Sequence, residues 1–142
     1  MSLFSWIRRE PAPAPVRKPE PKTFTAVELE RLRGVHPDLV RVVTRCRNDG
    51  GEFLVLEGLR TPARQRELFV RGATKTMNSR HLTGHAVDLA ATANGQIRWD
   101  WPLYHILAAQ MKVAAAAEGV NIEWGGDWKN FPDGPHYQLP WK

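Results

Sequence analysis

From Phe24 onward the chain alternates short apolar stripes with turn residues, and each stripe has a recognisable period. Thr25-x-x-Glu28 has the spacing of a capping box, which predicts a short helix stopping at Gly34. Pro37 opens a second helix with Leu39, Val40, Val43 and Cys46 on its buried stripe. Phe53–Leu56 reads as a strand, and Thr61-Pro62 starts a helix that ends near Gly72. In His85-Ala86-Val87-Asp88-Leu89-Ala90, strand alternation puts Ala86 and Asp88 on one face and Val87 and Leu89 on the other. Asp100 caps a long Ala-rich helix, with Pro102 near its first position and Gly119 at its end. Asn121–Trp124 and His136–Leu139 read as the last two strands. Helices with a small, mostly antiparallel sheet make an α+β domain.

One residue breaks the apolar pattern. Asp88 sits mid-strand, where a carboxylate is costly unless paired or metal-bound. It ends the segment Ser79-Arg80-His81-Leu82-Thr83-Gly84-His85-Ala86-Val87-Asp88; a second segment, Asp133-Gly134-Pro135-His136, lies downstream. Together they offer imidazoles and carboxylates enough to hold one divalent metal and leave a carboxylate to move protons. On a straight helix His81 and Asp88 would be about 10 Å apart, and on one strand about 23 Å, whereas zinc–ligand bonds are about 2.0–2.2 Å. The chain must therefore reverse between them, and Thr83-Gly84 is the natural place. A single surface His near an Asp is ordinarily a solvated pair, so the other histidines matter as contrast. His36, before Pro37, reads as a helix-start residue, and His105, inside the Leu103–Glu118 helix, as structural. His85 forms an i,i+4 pair with His81, but Thr83-Gly84 argues against a helix there, leaving His85 a minor alternative ligand. Cys46 falls on the apolar side of its helix and reads as core.

Ser79-x-His81-x-x-Gly84-x-Ala86-x-Asp88, followed by Asp133-x-x-His136, resembles the signature of the VanY-like zinc peptidases. That group holds D,D-carboxypeptidases, D,D-dipeptidases and phage L-alanyl-D-glutamate endopeptidases, all of which cut peptidoglycan stem peptides. The resemblance extends from about Phe24 to Leu139 and takes in Glu57-Gly58-Leu59-Arg60-Thr61 and Glu123-Trp124-Gly125-Gly126-Asp127-Trp128. Trp-Gly-Gly-Asp-Trp and Asp-x-Pro-His look most like the phage endolysin branch; the dipeptidases carry Glu where this chain has Asp133.

The resemblance implies a hedgehog/D,D-peptidase-like fold with one zinc ion on the sheet, held by His81, Asp88 and His136. It makes Asp133 the general base, and Arg60 a catalytic and substrate-binding cation at the carbonyl oxygen. The bland alternative for Arg60 is an ion pair with Glu57 or Glu67. Ser79 would orient substrate or simply close a turn, and Asp127 would shape the cleft rim. The implied reaction is hydrolysis of the L-alanyl-D-glutamate amide bond by metal-activated water. A D,D-carboxypeptidase acting on D-Ala termini is the alternative, and a non-catalytic zinc-stabilised binding module a more distant one. Two imidazoles and one carboxylate also suit metals other than zinc.

At 142 residues with 42% hydrophobic content, one domain with a real core is expected. A single cysteine excludes an intramolecular disulfide. Six tryptophans are many for this length, and Trp99, Trp101, Trp124 and Trp128 flank the second half of the candidate site. The net charge of +5 is concentrated at the start, where Arg8, Arg9, Arg17, Lys18 and Lys22 face only Glu10 and Glu20. Residues 1–22 therefore read as a basic, Pro-rich, disordered lead segment that favours anionic cell-wall or membrane surfaces, with residues 23–142 as the zinc peptidase domain. Nucleic acid is not expected, because no binding motif accompanies the charge. The apolar patch Leu3, Phe4, Trp6 and Ile7 is far shorter than a secretory h-region or a membrane span. With no secretory segment recognised there, the resemblance implies a monomer held in the cytoplasm until a holin-like pore admits it to the wall during lysis.

Overall fold

The computed structural model describes residues 24–141. In chain order these form α1 (Ala26–Leu32), α2 (Pro37–Asn48), β1 (Phe53–Glu57), α3 (Pro62–Val70) and a 3-10 turn at Arg80–Thr83. Then come β2 (Ala86–Ala93), β3 (Gln96–Ile97), α4 (Trp101–Glu118), β4 (Glu123–Trp124) and β5 (His136–Gln138). The lead segment expected at residues 1–22 lies outside the described residues. Among the described residues, no helix is long and apolar enough to cross a membrane.

The capping box forms as expected: Thr25 Oγ1 accepts from Glu28 N while the Glu28 carboxylate accepts from Thr25 N. The same carboxylate does more than cap. It takes a forked pair of 2.8 Å hydrogen bonds from Arg47 and a third, 2.9 Å long, from Val55 N, all in the interior. Arg47 also donates to Phe53 O and lies over the rings of Phe24 and Phe53. One buried ion pair thus ties α1, α2 and β1 together. Its partners are satisfied on every side, the condition under which such a pair is tolerated in a core.

The sheet runs β1-β2-β5-β4, with every pairing antiparallel and β3 folded back on β2. Val87, Leu89, Ala91 and Tyr137 face the core that α2 and α4 cover. The stripe of α2 is Leu39, Val42, Val43 and Cys46; Val40, expected there, is only half-buried at its edge. Burial, with Asp49 nearby, pushes the Cys46 thiol up to about 12, so it is an inert core group.

Four expectations need correction. β2 runs on to Ala93 rather than stopping at Ala90, and turns through Asn94-Gly95, both at positive φ, into the short β3. β4 covers only Glu123–Trp124, not Asn121–Trp124, and β5 ends at Gln138 rather than Leu139. Asp100 occupies the N-cap position of α4, but its carboxylate bonds Arg98 at 2.6 Å and caps nothing.

Candidate metal centre

Strand register brings the distant halves of the site together. Asp88 on β2 lies directly opposite His136 on β5 and, across a bulge, opposite Glu57 on β1. His81 reaches the same point because the chain reverses as the spacing requires. Ser79 Oγ accepts from His81 N, the 3-10 turn follows, and Gly84 at φ 76° redirects the chain into β2. A side chain at Gly84 would run into the carbonyl oxygen of Gly34, so the turn demands glycine twice over.

His81 Nε2 lies 3.2 Å and His136 Nδ1 3.3 Å from the same atom, Asp88 Oδ1. One ligating atom from each of the three residues lies within 4.8 Å of the others. Each imidazole is held from behind: His81 Nδ1 bonds Gly58 O at 2.8 Å, and His136 Nε2 bonds Gln138 Oε1 at 2.7 Å. A carbonyl oxygen can only accept, so each ring donates one proton there and leaves its other nitrogen facing Asp88, the orientation that metal-bound histidines take. Gln138 is itself oriented by Glu123, whose Oε2 accepts from Gln138 Nε2 at 3.1 Å.

The electrostatics agree. Burial opposes ionisation of Asp88, but the charges and hydrogen bonds of His81 and His136 outweigh it and hold the carboxyl far below the ordinary range. Burial likewise opposes protonation of His136, yet its hydrogen bond to Asp88 raises it. A metal ion would compete with that proton, and the three side chains together offer the donor set that could hold one.

Asp133 stands on the loop between β4 and β5. Its N–H donates to Gly125 O and its carbonyl accepts from His136 N, which pins the loop against the ligand. The indole of the buried Trp124 donates to Gly134 O at 2.7 Å and holds the next residue. Burial first, and the Asp88 charge second, push the Asp133 carboxyl upward against the pull of His136, His81 and Arg60. Half-buried at the cleft, it has the environment of a proton-transfer group.

Arg60 is buried and fully engaged. Nε and one terminal nitrogen bond both oxygens of Glu57 at 3.0 and 2.9 Å, and the other terminal nitrogen bonds Gln65 Oε1 at 2.7 Å. Its guanidinium still lies 3.6 Å from Asp88 Oδ2. The Glu57 pair is therefore real, whereas Glu67 pairs with Arg64 and Arg71 instead. Ser79 caps its turn and also lines the cleft. His85 bonds Thr83 Oγ1 and packs by His36, outside the ligand group. His105 lies between the Trp101 and Trp124 rings. Asp127 ties its loop to Lys112 of α4.

The site floors a cleft of about 580 Å³. Trp128 and Trp141 line it, with the Trp128 ring 4.9 Å from that of His136; Trp99 and Trp101 do not. Gln138, Glu123, Gln65 and the Gly58 carbonyl were not singled out from sequence. Gln138 was within reach, since positions i and i+2 of the expected strand His136–Leu139 share a face.

Residues 22–138 match the family described as phage L-alanyl-D-glutamate peptidase. The chain belongs to this family. The branch that the sequence motifs resemble is thus the one the chain falls in. It is 37% identical to the L-alanyl-D-glutamate peptidase of Listeria phage A118 over 67% of this chain and 33% of that protein. It is 33% identical to the peptidoglycan L-alanyl-D-glutamate endopeptidase CwlK of Bacillus subtilis over 65% of this chain and 63% of that one. The chain thus spans about a third and just under two thirds of these relatives' lengths. The crystal structure of Serratia marcescens L-Ala D-Glu endopeptidase ChiX superposes with a TM-score of 0.77 at 49% identity, over 85% of this chain and 92% of that one. The α+β fold expected from the pattern, a small antiparallel sheet flanked by helices and carrying the site, is the fold of this family member.

Proposed function

We propose that this protein is a peptidoglycan endopeptidase that hydrolyses the L-alanyl-D-glutamate bond of stem peptides, with one zinc ion held by His81, Asp88 and His136. The observation that carries the reading is the pair of imidazoles, each donating backward to a carbonyl oxygen and presenting its other nitrogen to one Asp88 oxygen. A divalent ion bound there would supply Lewis acidity to the scissile carbonyl and lower the pKa of water toward ~7.

The chain's own groups do the rest. Asp133 takes the proton of the attacking water as its oxygen bonds to the L-alanyl carbonyl carbon. It returns that proton to the D-glutamyl nitrogen as the C–N bond breaks. Arg60, fixed by Glu57 and Gln65, offers a preorganised cation to the oxygen on which negative charge develops. Ser79 holds the turn that presents His81 and orients substrate at the cleft edge. Trp128 and Trp141 supply apolar wall.

The proposal extends to a monomeric phage or prophage endolysin that accumulates in the cytoplasm and reaches the wall through a holin-like pore. Its basic lead segment would engage anionic surfaces. Digestion of purified sacculi followed by identification of new termini tests the reaction. Freed N-terminal D-glutamate supports it; released D-alanine would make the protein a carboxypeptidase, and no release would leave a binding module.

A further inference from the structure

The cleft carries one cationic group that the proposed chemistry leaves without a task. Of the cations lining it among the described residues, Arg60 is fixed by Glu57 and Gln65 and already serves the oxygen on which charge develops. Arg80 donates to the carbonyls of Leu139 and Pro140 and stacks on Trp141. Lys75 has no carboxylate partner. Its ammonium sits 5.1 Å from the centre of the Phe131 ring, across the mouth of the cleft.

Both lips of this contact are held by the site itself. On one side, the carbonyl of Thr76, next to Lys75, accepts at 2.7 Å from the buried Gln65 that also holds Arg60. On the other, Phe131 adopts φ 56°, a conformation that bulky residues rarely take outside functional loops, two residues before Asp133. The ring is half-exposed and turned to the lysine.

We propose that Lys75 is a specificity residue that pairs with the free carboxylate of the substrate's D-glutamate. This rests on the endopeptidase reading above. Asp133 delivers its proton to the D-glutamyl nitrogen, so the leaving side of the scissile bond lies against the lip that carries Asp133 and Phe131. D-Glutamate has two carboxyl groups: one continues the stem peptide, and the other stays free or is amidated. In the stem peptide the free one is attached to the carbon that bears the leaving nitrogen. Lys75, held by a ring at that lip, is the cation placed to receive it, exchanging a weak ring contact for a charge-assisted hydrogen bond.

The test compares two synthetic stem peptides, one with a free D-glutamate carboxylate and one with D-isoglutamine, cleaved by wild type, Lys75→Ala and Lys75→Arg. Wild type should favour the carboxylate peptide in kcat/KM by about tenfold, the worth of one such contact at a partly exposed site. Lys75→Ala should bring the ratio to within about twofold of unity, and Lys75→Arg should retain most of it. Lys75 is exposed, so the variants should keep the wild-type melting temperature. A wild-type preference that survives Lys75→Ala, or no preference in wild type, would overturn the carboxylate contact while leaving the endopeptidase reading intact. Failure of wild type to cut either peptide at the alanyl–glutamyl bond would overturn both.

Discussion

Replacing Gln138 by Leu isolates the support behind the metal centre from the centre itself. Gln138 is 5% exposed, and leucine fills nearly the same volume without a polar atom. In the wild type the Gln138 oxygen takes the proton of His136 Nε2 at 2.7 Å. Without that acceptor, metal-free His136 has an escape: the proton moves to Nδ1, which already faces Asp88 Oδ1 at 3.3 Å. The metal-bound state has none, because Nδ1 is then occupied and the Nε2–H is left buried without a partner. A stranded donor of this kind costs about 1–3 kcal/mol. Loss of the outer partner of a metal-bound histidine weakens binding by about 10–100-fold, or about 1.4–2.8 kcal/mol, so the two estimates agree. Gln138→Leu should therefore melt like wild type when stripped of metal and bind zinc about 10–100-fold more weakly in competition with a chromophoric chelator. Nitrogen NMR of the metal-free variant should show the His136 proton on Nδ1. Gln138→Glu combined with Glu123→Gln keeps an acceptor and avoids two facing carboxylates, so it should hold zinc at least as well as wild type. Undiminished zinc affinity in Gln138→Leu would refute the argument.

Two further outcomes follow from the geometry. Asp133→Asn keeps the loop and the ligands but cannot take a proton, so kcat should fall by at least about 10² with metal content unchanged. Glu28→Ala leaves Arg47 charged and buried, which should cost about 3–5 kcal/mol of stability in urea titrations. Its pH dependence has a definite sign. Burial works against the Glu28 carboxylate, but the bonds from Arg47, Val55 and Thr25 hold it below its ordinary value. The stabilisation is therefore complete above the unfolded carboxylate range and is lost as pH falls through the lower folded value. Wild-type stability should fall toward acid more steeply than that of Glu28→Ala.

The parts of the molecule legible in its sequence were those governed by local geometry. The reversal at Thr83-Gly84 followed from the distance His81 and Asp88 had to cover, and the strand face of Asp88 from simple alternation. The Glu28 capping box was equally local, yet its second role was invisible, because nothing near Thr25 announces Arg47 or Val55. Gln65 was hidden for the same reason: a glutamine within a polar helix gives no sign that folding will bury it against Arg60. Asp100 departs from the expected capping role because a helix-start aspartate has two available partners, and Arg98 wins. Asn94-Gly95 is itself a local hairpin signal, and it turns β2 into β3.

In the proposed reaction, one divalent ion on His81, Asp88 and His136 powers cleavage of the alanyl–glutamyl bond. Zinc titration into chelator-stripped protein, with that cleavage followed at each addition, tests it most directly. Cleavage should be absent at the start, rise linearly, and break at one equivalent per chain, with His136→Ala flat throughout. Full cleavage by the stripped protein, or wild-type restoration in His136→Ala, would contradict it.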